Sequence, residues 1–154
     1  MKIILIFLLS INILGFNISK KKESIREKNN IGITTGIGSS DNLIGINIDL
    51  IIKNLDLELS LSTTFFGGEA ISLGGRYLFS PEEENSYYLG LYVIGLRIIP
   101  DGKEAYNYGG IIYIPIGCQF MWDNGFTTSI DIGIILGADY PVLPSFGLKI
   151  GYYF

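Results

Sequence analysis

The sequence predicts an all-β protein whose strands close into an eight-stranded antiparallel up-and-down transmembrane β-barrel. Three observations lead to this prediction. From Ile31 to the C-terminus, apolar and polar residues alternate with a period of two, which is the period of a β-strand. The chain is rich in glycine, with 20 residues, while only 17% of its residues are charged. Finally, the chain opens with an apolar segment that is typical of exported proteins.

The first 30 residues are predicted to be a targeting region and a linker. Lys2 precedes an apolar run over residues 3–18, which is short for a membrane-spanning helix and suits the core of a signal peptide. Residues 1–19 are therefore predicted to direct export through the inner membrane. Because cleavage after Ser19 would put Asn17 where a small residue is expected, an uncleaved anchor stays an alternative. Residues 20–30 are polar and predict a short flexible lead-in.

Residues 31–154 are predicted to form the barrel. The pattern is clearest around residues 44–62, where Ile or Leu at every second position alternates mostly with Gly, Asn, Asp, Glu and Ser. Most segments have the roughly 9–11 residues that a tilted strand needs to cross a bilayer. Residues with turn chemistry separate them, such as Lys53-Asn54 and Asp123-Asn124-Gly125. The predicted strands are 31–37, 43–52, 55–65, 70–79, 87–98, 108–122, 126–137 and 145–154.

Two of these strands depart from the regular pattern. Residues 87–98 are apolar on both faces, which indicates that a bulge shifts the register there. Pro115 lies inside the strand 108–122, where it cannot donate a backbone hydrogen bond to a neighbouring strand.

The composition of the two strand faces indicates which one meets lipid. A soluble barrel keeps its apolar residues inside and carries Lys, Glu, Thr and Gln outside. Here the polar face holds mainly Gly, Ser, Thr and Asn with few charges, which suits the crowded lumen of an eight-stranded barrel. The apolar face is therefore predicted to contact outer-membrane lipid. The charged residues of the polar face are Asp49, Asp56, Glu58, Arg76, Asp131 and Lys149.

These six residues are predicted to form a charge network in the lumen, in which Arg76 and Lys149 neutralise the carboxylates. As an alternative, the cluster of Asp49, Asp56 and Glu58 could bind a cation or hold an additional proton.

Aromatic residues concentrate at the predicted strand ends, as they do in the two interfacial girdles of membrane barrels. One predicted girdle comprises Tyr77, Phe79, Tyr87, Tyr88, Phe120, Trp122, Phe126, Tyr152, Tyr153 and Phe154. The girdle at the opposite interface comprises Phe65, Phe66, Tyr106, Tyr108, Tyr140 and Phe146.

The last strand, GLKIGYYF, ends on Phe154 with apolar residues at the alternate positions Leu148, Ile150 and Tyr152. It resembles the C-terminal signature of bacterial outer-membrane barrel proteins. The segments LGGRYLF and IPIGCQFMWDNGFTTSIDIGI are similar to the small eight-stranded barrels of the OmpA/OmpX type. This resemblance covers residues 31–154 at the level of architecture. It implies a place in the bacterial outer membrane, a periplasmic C-terminus, and recognition of the last strand by the barrel-assembly machinery.

Several classes of function are excluded by composition. The chain has no histidine, so no mechanism that uses imidazole as a base is available, and no Cys/His cluster can hold a metal. The single cysteine, Cys118, cannot form an intramolecular disulfide. Residues 31–154 carry a net charge of −8, which argues against nucleic-acid binding. We therefore expect no catalysis, no cofactor and no metal.

The sequence favours a structural or surface-interaction protein, because an eight-stranded lumen is filled by side chains and leaves the loops to provide specificity. The alternative is a narrow channel or transporter for a small or hydrophobic solute, resembling the OmpW type. A weaker alternative is a soluble ligand-binding barrel like the lipocalins.

Overall fold

The computed structural model describes residues 24–38, 44–63, 68–98, 106–137 and 140–154. They contain one helical turn, α1 (Ile25–Lys28), and eight strands. The strands are β1 (Ile31–Gly38), β2 (Ile44–Ile52), β3 (Leu55–Thr63), β4 (Glu69–Leu78), β5 (Asn85–Ile98), β6 (Tyr106–Met121), β7 (Phe126–Gly137) and β8 (Tyr140–Tyr153). In the described part of the chain, no helix is long and apolar enough to cross a membrane.

The strands form a closed barrel in which each strand is antiparallel to the next and β8 pairs with β1. This confirms the predicted eight-stranded antiparallel up-and-down architecture. The connections β2–β3, β4–β5 and β6–β7 lie at the same end as the start of β1 and the end of β8, and we call this the turn end. The other connections run through residues 39–43, 64–67, 99–105 and 138–139, outside the described residues, at what we call the loop end.

Most strand boundaries agree with the predictions to within one or two residues, but β8 begins at Tyr140 rather than at residue 145. The predicted strand starts five residues too late, because Pro141 and Pro144 suggest a loop. Within the described residues, β1 pairs with β8 only from Gly147 onward, while β7 pairs with β8 from Tyr140. The prolines therefore lie where β8 has a described neighbour on one side only, and a missing backbone N–H is tolerated there.

The predicted irregularity near residues 87–98 is confirmed as a register shift between Ile94 and Leu96 of β5 against β6. The extra residue lies on β6, where Gly110 has a positive φ of 80°. Pro115 pairs with Gly133 on the β7 side. On the β5 side it packs on Gly90, where an added Cβ would lie 2.8 Å from the Pro115 Cγ. A glycine on the neighbouring strand thus makes room for the proline ring.

Side chains alternate between an exposed outer face and a buried lumen along β1, β2 and β3, and the alternation fades toward the loop end of β7 and β8. The outer face is apolar, and the lumen contains both polar residues and two apolar clusters. The cluster at the turn end comprises Ile51, Leu78, Tyr88, Met121 and Tyr153, and the cluster at the loop end comprises Ala70, Tyr92, Ile94 and Tyr113.

Two expectations from the sequence are corrected by these positions. Tyr88 and Tyr153 belong to the lumen, where both are completely buried, and not to the predicted girdle. Their neighbours Tyr87 and Tyr152 do face outward, because adjacent residues of a strand point to opposite faces. Of the girdle predicted at the loop end, Phe146 is exposed, whereas the side chains of the other five residues lie outside the description.

The second concerns the lead-in, predicted to be flexible, which forms a capped helical turn from residue 24 onward. Ser24 caps α1 in a reciprocal capping box with Glu27, and Arg26 is completely buried. The backbone N–H of Asn30 then donates to the carbonyl of Phe154, so the two ends of the barrel sequence meet.

Candidate functional site

The candidate site is the charged layer of the lumen, which strand alternation places inside the barrel. Five strands contribute to it, and each of the six predicted residues is at most 4% exposed. They are Asp49 on β2, Asp56 and Glu58 on β3, Arg76 on β4, Asp131 on β7 and Lys149 on β8. Two cross-strand pairs bring part of the set together, because Asp49 lies opposite Glu58 and Asp56 lies opposite Arg76.

Arg76 is the centre of the first group of contacts. Its Nη2 lies 2.7 Å from Asp56 Oδ2, 3.5 Å from Asp49 Oδ1 and 3.9 Å from Glu58 Oε2. The guanidinium group also lies over the ring of Tyr88, 5.0 Å from its centroid. A single buried cation thus faces three carboxylates that come from two neighbouring strands.

Lys149 makes the second group of contacts, from β8 across the lumen to β3. Its Nζ lies 2.5 Å from Glu58 Oε1 and 5.4 Å from the centroid of the Tyr92 ring. The hydroxyl of Tyr92 in turn donates to Glu58 Oε2 over 3.1 Å. Glu58 therefore joins the Lys149 and Arg76 groups into one network.

Asp131 on β7 accepts hydrogen bonds from two tyrosines of the nearest strands on one side, Tyr88 on β5 and Tyr113 on β6. The hydroxyl of Tyr88 lies 2.8 Å from Asp131 Oδ2, and the hydroxyl of Tyr113 donates to Asp131 Oδ1. On the other side of the lumen, Tyr153 donates to Asp56 over 3.2 Å. Four buried tyrosines thus solvate carboxylates that water cannot reach.

Inward-facing glycines make room for these tyrosines. A Cβ added at Gly32 would lie 2.7 Å from the Tyr153 ring, and one added at Gly74 would lie 2.4 Å from the Tyr92 ring. In the same way, the ring of Tyr88 lies against Gly117 and the ring of Tyr113 lies against Gly133. The glycines of the polar face therefore let large rings lie flat against the barrel wall.

The sequence analysis did not identify the four tyrosines as part of the network. Strand parity was an available signal for Tyr113, which alternates with Ile112 and Ile114 on the polar face. Tyr92 lies in the strand that is apolar on both faces, so its direction could not be inferred from the pattern. Arg26 was also missed, although the spacing Ser24-x-x-Glu27 is the signature of a helix start.

The arrangement does not resemble a cation site. Asp49, Asp56 and Glu58 face Arg76 and Lys149, and a metal ion there would be repelled by both basic groups. Among the described residues, no group of three or more Asp, Glu, Cys or His side chains is placed to hold a metal. The geometry is that of a buried network of ion pairs.

The four residues of the predicted C-terminal signature share the outer face of β8. Leu148, Ile150, Tyr152 and Phe154 are all exposed. Tyr152 pairs with Ile33 of β1 and with Phe126 of β7, and its ring packs edge-on against that of Phe154. The signature is therefore an apolar strip that lies beside the seam between β8 and β1.

Comparison with known proteins supports the fold. No protein-family model matches the chain, and no curated protein sequence is significantly similar to it. Among solved structures, the chain is similar to the N-terminal β-barrel domain of OprF from Pseudomonas aeruginosa, with a TM-score of 0.67. The two share 18% sequence identity, and the match covers 82% of this chain and 98% of the OprF domain. At this identity the likeness establishes the fold.

Proposed function

We propose that the chain is an integral barrel protein of a bacterial outer membrane, with a structural or surface-interaction role and no catalytic activity. The observation that carries this proposal is the outer surface of the barrel. Large apolar side chains at mid-strand positions are more than half exposed, with Ile48 58% exposed, Leu73 64% and Ile132 62%. Exposing such an apolar surface to water around the whole barrel would be unfavourable, whereas contact with lipid acyl chains would be favourable.

The distribution of charge supports the same placement and argues against a soluble ligand-binding barrel. All six ionisable residues of the candidate site point inward, and the outward positions around them are Ile, Leu, Val and aromatic residues. A lipocalin-like barrel needs the opposite arrangement, with an apolar cavity inside and charges outside. The barrel fold shared with the OprF domain, together with the C-terminal strip at Phe154, agrees with an outer-membrane location.

A lumen closed by side chains is part of the proposal. Arg76, Tyr88, Tyr92, Tyr113 and Tyr153 are each at most 2% exposed and extend into the barrel from β4, β5, β6 and β8. Eight strands enclose an interior only wide enough for such side chains. The loops at the loop end then become the part that a surface partner would contact.

Membrane fractionation followed by carbonate extraction tests the location. We expect the protein to stay with the membrane and to be released only by detergent. On a gel, the folded barrel should migrate differently before and after boiling, with a urea-denatured sample as the control. Release by carbonate would contradict the proposal and favour the soluble barrel.

Conductance in planar bilayers tests the closed lumen. The detergent-purified protein, shown to be folded by its heat-modifiable migration, should give no resolved single-channel steps. Regular steps with cation preference would instead support the narrow channel, because the charged layer of the lumen holds four carboxylates and two basic groups.

Residues 1–19 complete the proposal as the export signal, with the barrel of residues 31–154 as the mature domain. The mass and the N-terminal sequence of the membrane-bound protein test this assignment. A start shortly after Ser19 is expected, and an intact N-terminus would support the uncleaved anchor.

A further inference from the structure

The turn end of the barrel is covered by the residues that precede β1. Ser24 opens the capped turn α1, and Ile25 packs against the apolar cluster at this end of the lumen. After α1, the carbonyl of Asn30 accepts from the N–H of Ile51, and the N–H of Asn30 donates to Phe154. Residues 24–30 are therefore attached to β2 and β8, the two neighbours of β1.

From this position the side chain of Arg26 reaches the far side of the barrel. Its guanidinium group is completely buried and donates five hydrogen bonds, the full number that it can form. The acceptors belong to the β4–β5 turn and to β6. They are the carbonyls of Pro81, Glu83, Glu84 and Gln119, together with Oε1 of Gln119.

These acceptors form a recognition site and are not a chance contact. The donor–acceptor distances run from 3.1 Å to the Pro81 carbonyl up to 3.3 Å to the Gln119 carbonyl, and Nη1 of Arg26 also donates to the Glu83 carbonyl. Every acceptor is uncharged. The site therefore matches the planar set of N–H donors in a guanidinium group and not simply its positive charge. Burial lowers the pKa of the Arg26 guanidinium, which nevertheless stays protonated at neutral pH.

We propose that the turn end of the barrel is a guanidinium-binding site which the chain fills with its own Arg26, so that residues 24–30 act as a latch across the opening. In a ring of eight strands, β5 and β6 lie opposite β1. Arg26 thus ties the chain before the first strand to the opposite wall. The latch forms only once the β4–β5 turn and β6 are in place, and it then covers the turn-end cluster and holds the closed barrel together.

The inference does not depend on the membrane location, because the contacts lie within one chain and can be tested in detergent. Trypsin cuts after Arg and Lys, so it reports directly on the latch. In the folded parent, the bonds after Arg26 and Lys28 should resist cleavage while the latch is docked, although the Lys28 side chain is exposed. In the Arg26→Ala protein, cleavage after Lys28 should accelerate by at least roughly tenfold, since opening of the segment controls access.

Glu82→Ala provides the matched control, because Glu82 is exposed in the same turn and its carbonyl is not among the acceptors of Arg26. This control should be cut as slowly as the parent. Equal rates for Arg26→Ala and Glu82→Ala would overturn the latch. If Arg26→Ala does not fold, the parent protein provides the test. Cleavage after Arg26 in the folded parent at the rate seen in urea would also overturn the latch.

Chemical rescue tests the specificity of the site. Millimolar methylguanidinium should raise the temperature at which the Arg26→Ala barrel loses its folded gel mobility, and methylammonium at equal ionic strength should not. The reason is that only the guanidinium fork matches five fixed acceptors. Equal effects of the two cations would show that the site does not select a guanidinium group and would overturn this part of the proposal.

Discussion

Arg76 is the basic residue that pairs with most of the lumen carboxylates. It lies within 3.9 Å of three carboxylates, and removing it leaves them buried without their shared cation. We expect Arg76→Ala to destabilise the barrel by about 3–5 kcal/mol, measured as a lowered urea midpoint in detergent or lipid. Lys28→Ala, which removes an exposed positive charge, serves as the control and should change the midpoint little.

A double variant distinguishes two causes of the stability loss at this position, the broken ion pair and the missing side-chain volume. Adding Asp56→Asn to Arg76→Ala removes one of the orphaned charges, so the double variant should recover part of the stability. If Arg76→Ala leaves the urea midpoint unchanged but introduces conductance, the lumen is hydrated, and the closed-lumen proposal fails.

The hydroxyl groups of the buried tyrosines also contribute to the stability of the barrel. Tyr88→Phe keeps the ring under Arg76 but removes the hydroxyl that donates to Asp131 over 2.8 Å. We expect a loss of about 1.5–3 kcal/mol, because the acceptor is a buried carboxylate. Tyr87→Phe is the control, since Tyr87 is 68% exposed on the outer face, and a change comparable to that of Tyr88→Phe would contradict the assignment of faces.

Lumen glycines give a steric test of the same packing. At Gly74 an added Cβ would lie 2.4 Å from the carbonyl oxygen of Leu91 and from the Tyr92 ring, so Gly74→Ala must displace the backbone or the ring. A loss of about 1–3 kcal/mol is expected in urea unfolding. At Gly95, which faces outward beside Ile71, the nearest atom would lie 3.6 Å away, an ordinary contact. Gly95→Ala should therefore be tolerated, and equal losses at both positions would argue against ring packing as the cause.

The sequence predicted the charged residues of the lumen but not their partners. Asp49, Asp56 and Glu58 could be assigned to the inside because they alternate with Ile and Leu, and a strand allows only two directions. Tyr88 and Tyr92 could not be assigned in this way, because their strand is apolar on both faces. A tyrosine is compatible with a lipid interface and with a crowded lumen, so the paired residues Tyr87 and Tyr88 give no preference until the register is known.

At the scale of the strands, the alternating pattern and the turn residues were sufficient for most boundaries. The pattern failed at β8, where Pro141 and Pro144 hid a strand that continues along β7. It also offered no reason for the long turn between β4 and β5. The structure supplies one, since the carbonyls of Pro81, Glu83 and Glu84 in this turn bind Arg26.

The last strand carries a prediction about assembly. The backbone of Phe154 bonds at the seam, donating to Ile31 over 2.8 Å and accepting from Asn30 over 3.0 Å, while its side chain is 63% exposed. We expect deletion of Phe154 to lower the amount of barrel in the outer membrane and to leave export intact, measured by fractionation and signal processing. Recognition of the C-terminal strip by the assembly machinery is the proposed cause.

Phe154→Ala distinguishes that cause from simple loss of the seam. This variant keeps both backbone hydrogen bonds and removes only the exposed ring. If the assembly machinery reads the ring, Phe154→Ala should reduce outer-membrane levels about as much as the deletion does. Normal levels of both variants would count against the proposed signature, and a defect of the deletion alone would assign the effect to the seam.

At the scale of the whole molecule, the barrel inverts the arrangement of a soluble protein. Its outer face is apolar, and its lumen holds ionisable residues that contact tyrosine hydroxyls and each other. This inversion could be predicted because it is periodic. The latch could not, because residues 20–30 have no apolar period, and the described part, residues 24–30, is held by Arg26 binding to acceptors 55–93 positions away in the sequence.

If the apolar outer face contacts lipid, the cost of placing a charge on it should depend on depth in the bilayer, which a soluble barrel would not show. Ile48 pairs with Ile33 and Leu59 on the outer face near mid-strand, and Ile132 lies at a similar level of β7, opposite Ile116. An arginine at either position would lie near the middle of the bilayer. We expect Ile48→Arg and Ile132→Arg each to cost about 2–4 kcal/mol when the barrel unfolds from lipid vesicles in urea.

Ile52→Arg provides the control, because Ile52 has the same chemistry and a similar exposure of 52% but lies at the end of β2 beside the turn. Its arginine can reach the membrane interface, so the cost there should fall to about 0–1 kcal/mol. In a soluble barrel all three positions face water, and an exposed arginine would be neutral or favourable at each of them. A clear penalty at Ile48 and Ile132 with none at Ile52 therefore supports a lipid-facing surface, and equal tolerance at all three would contradict the membrane proposal.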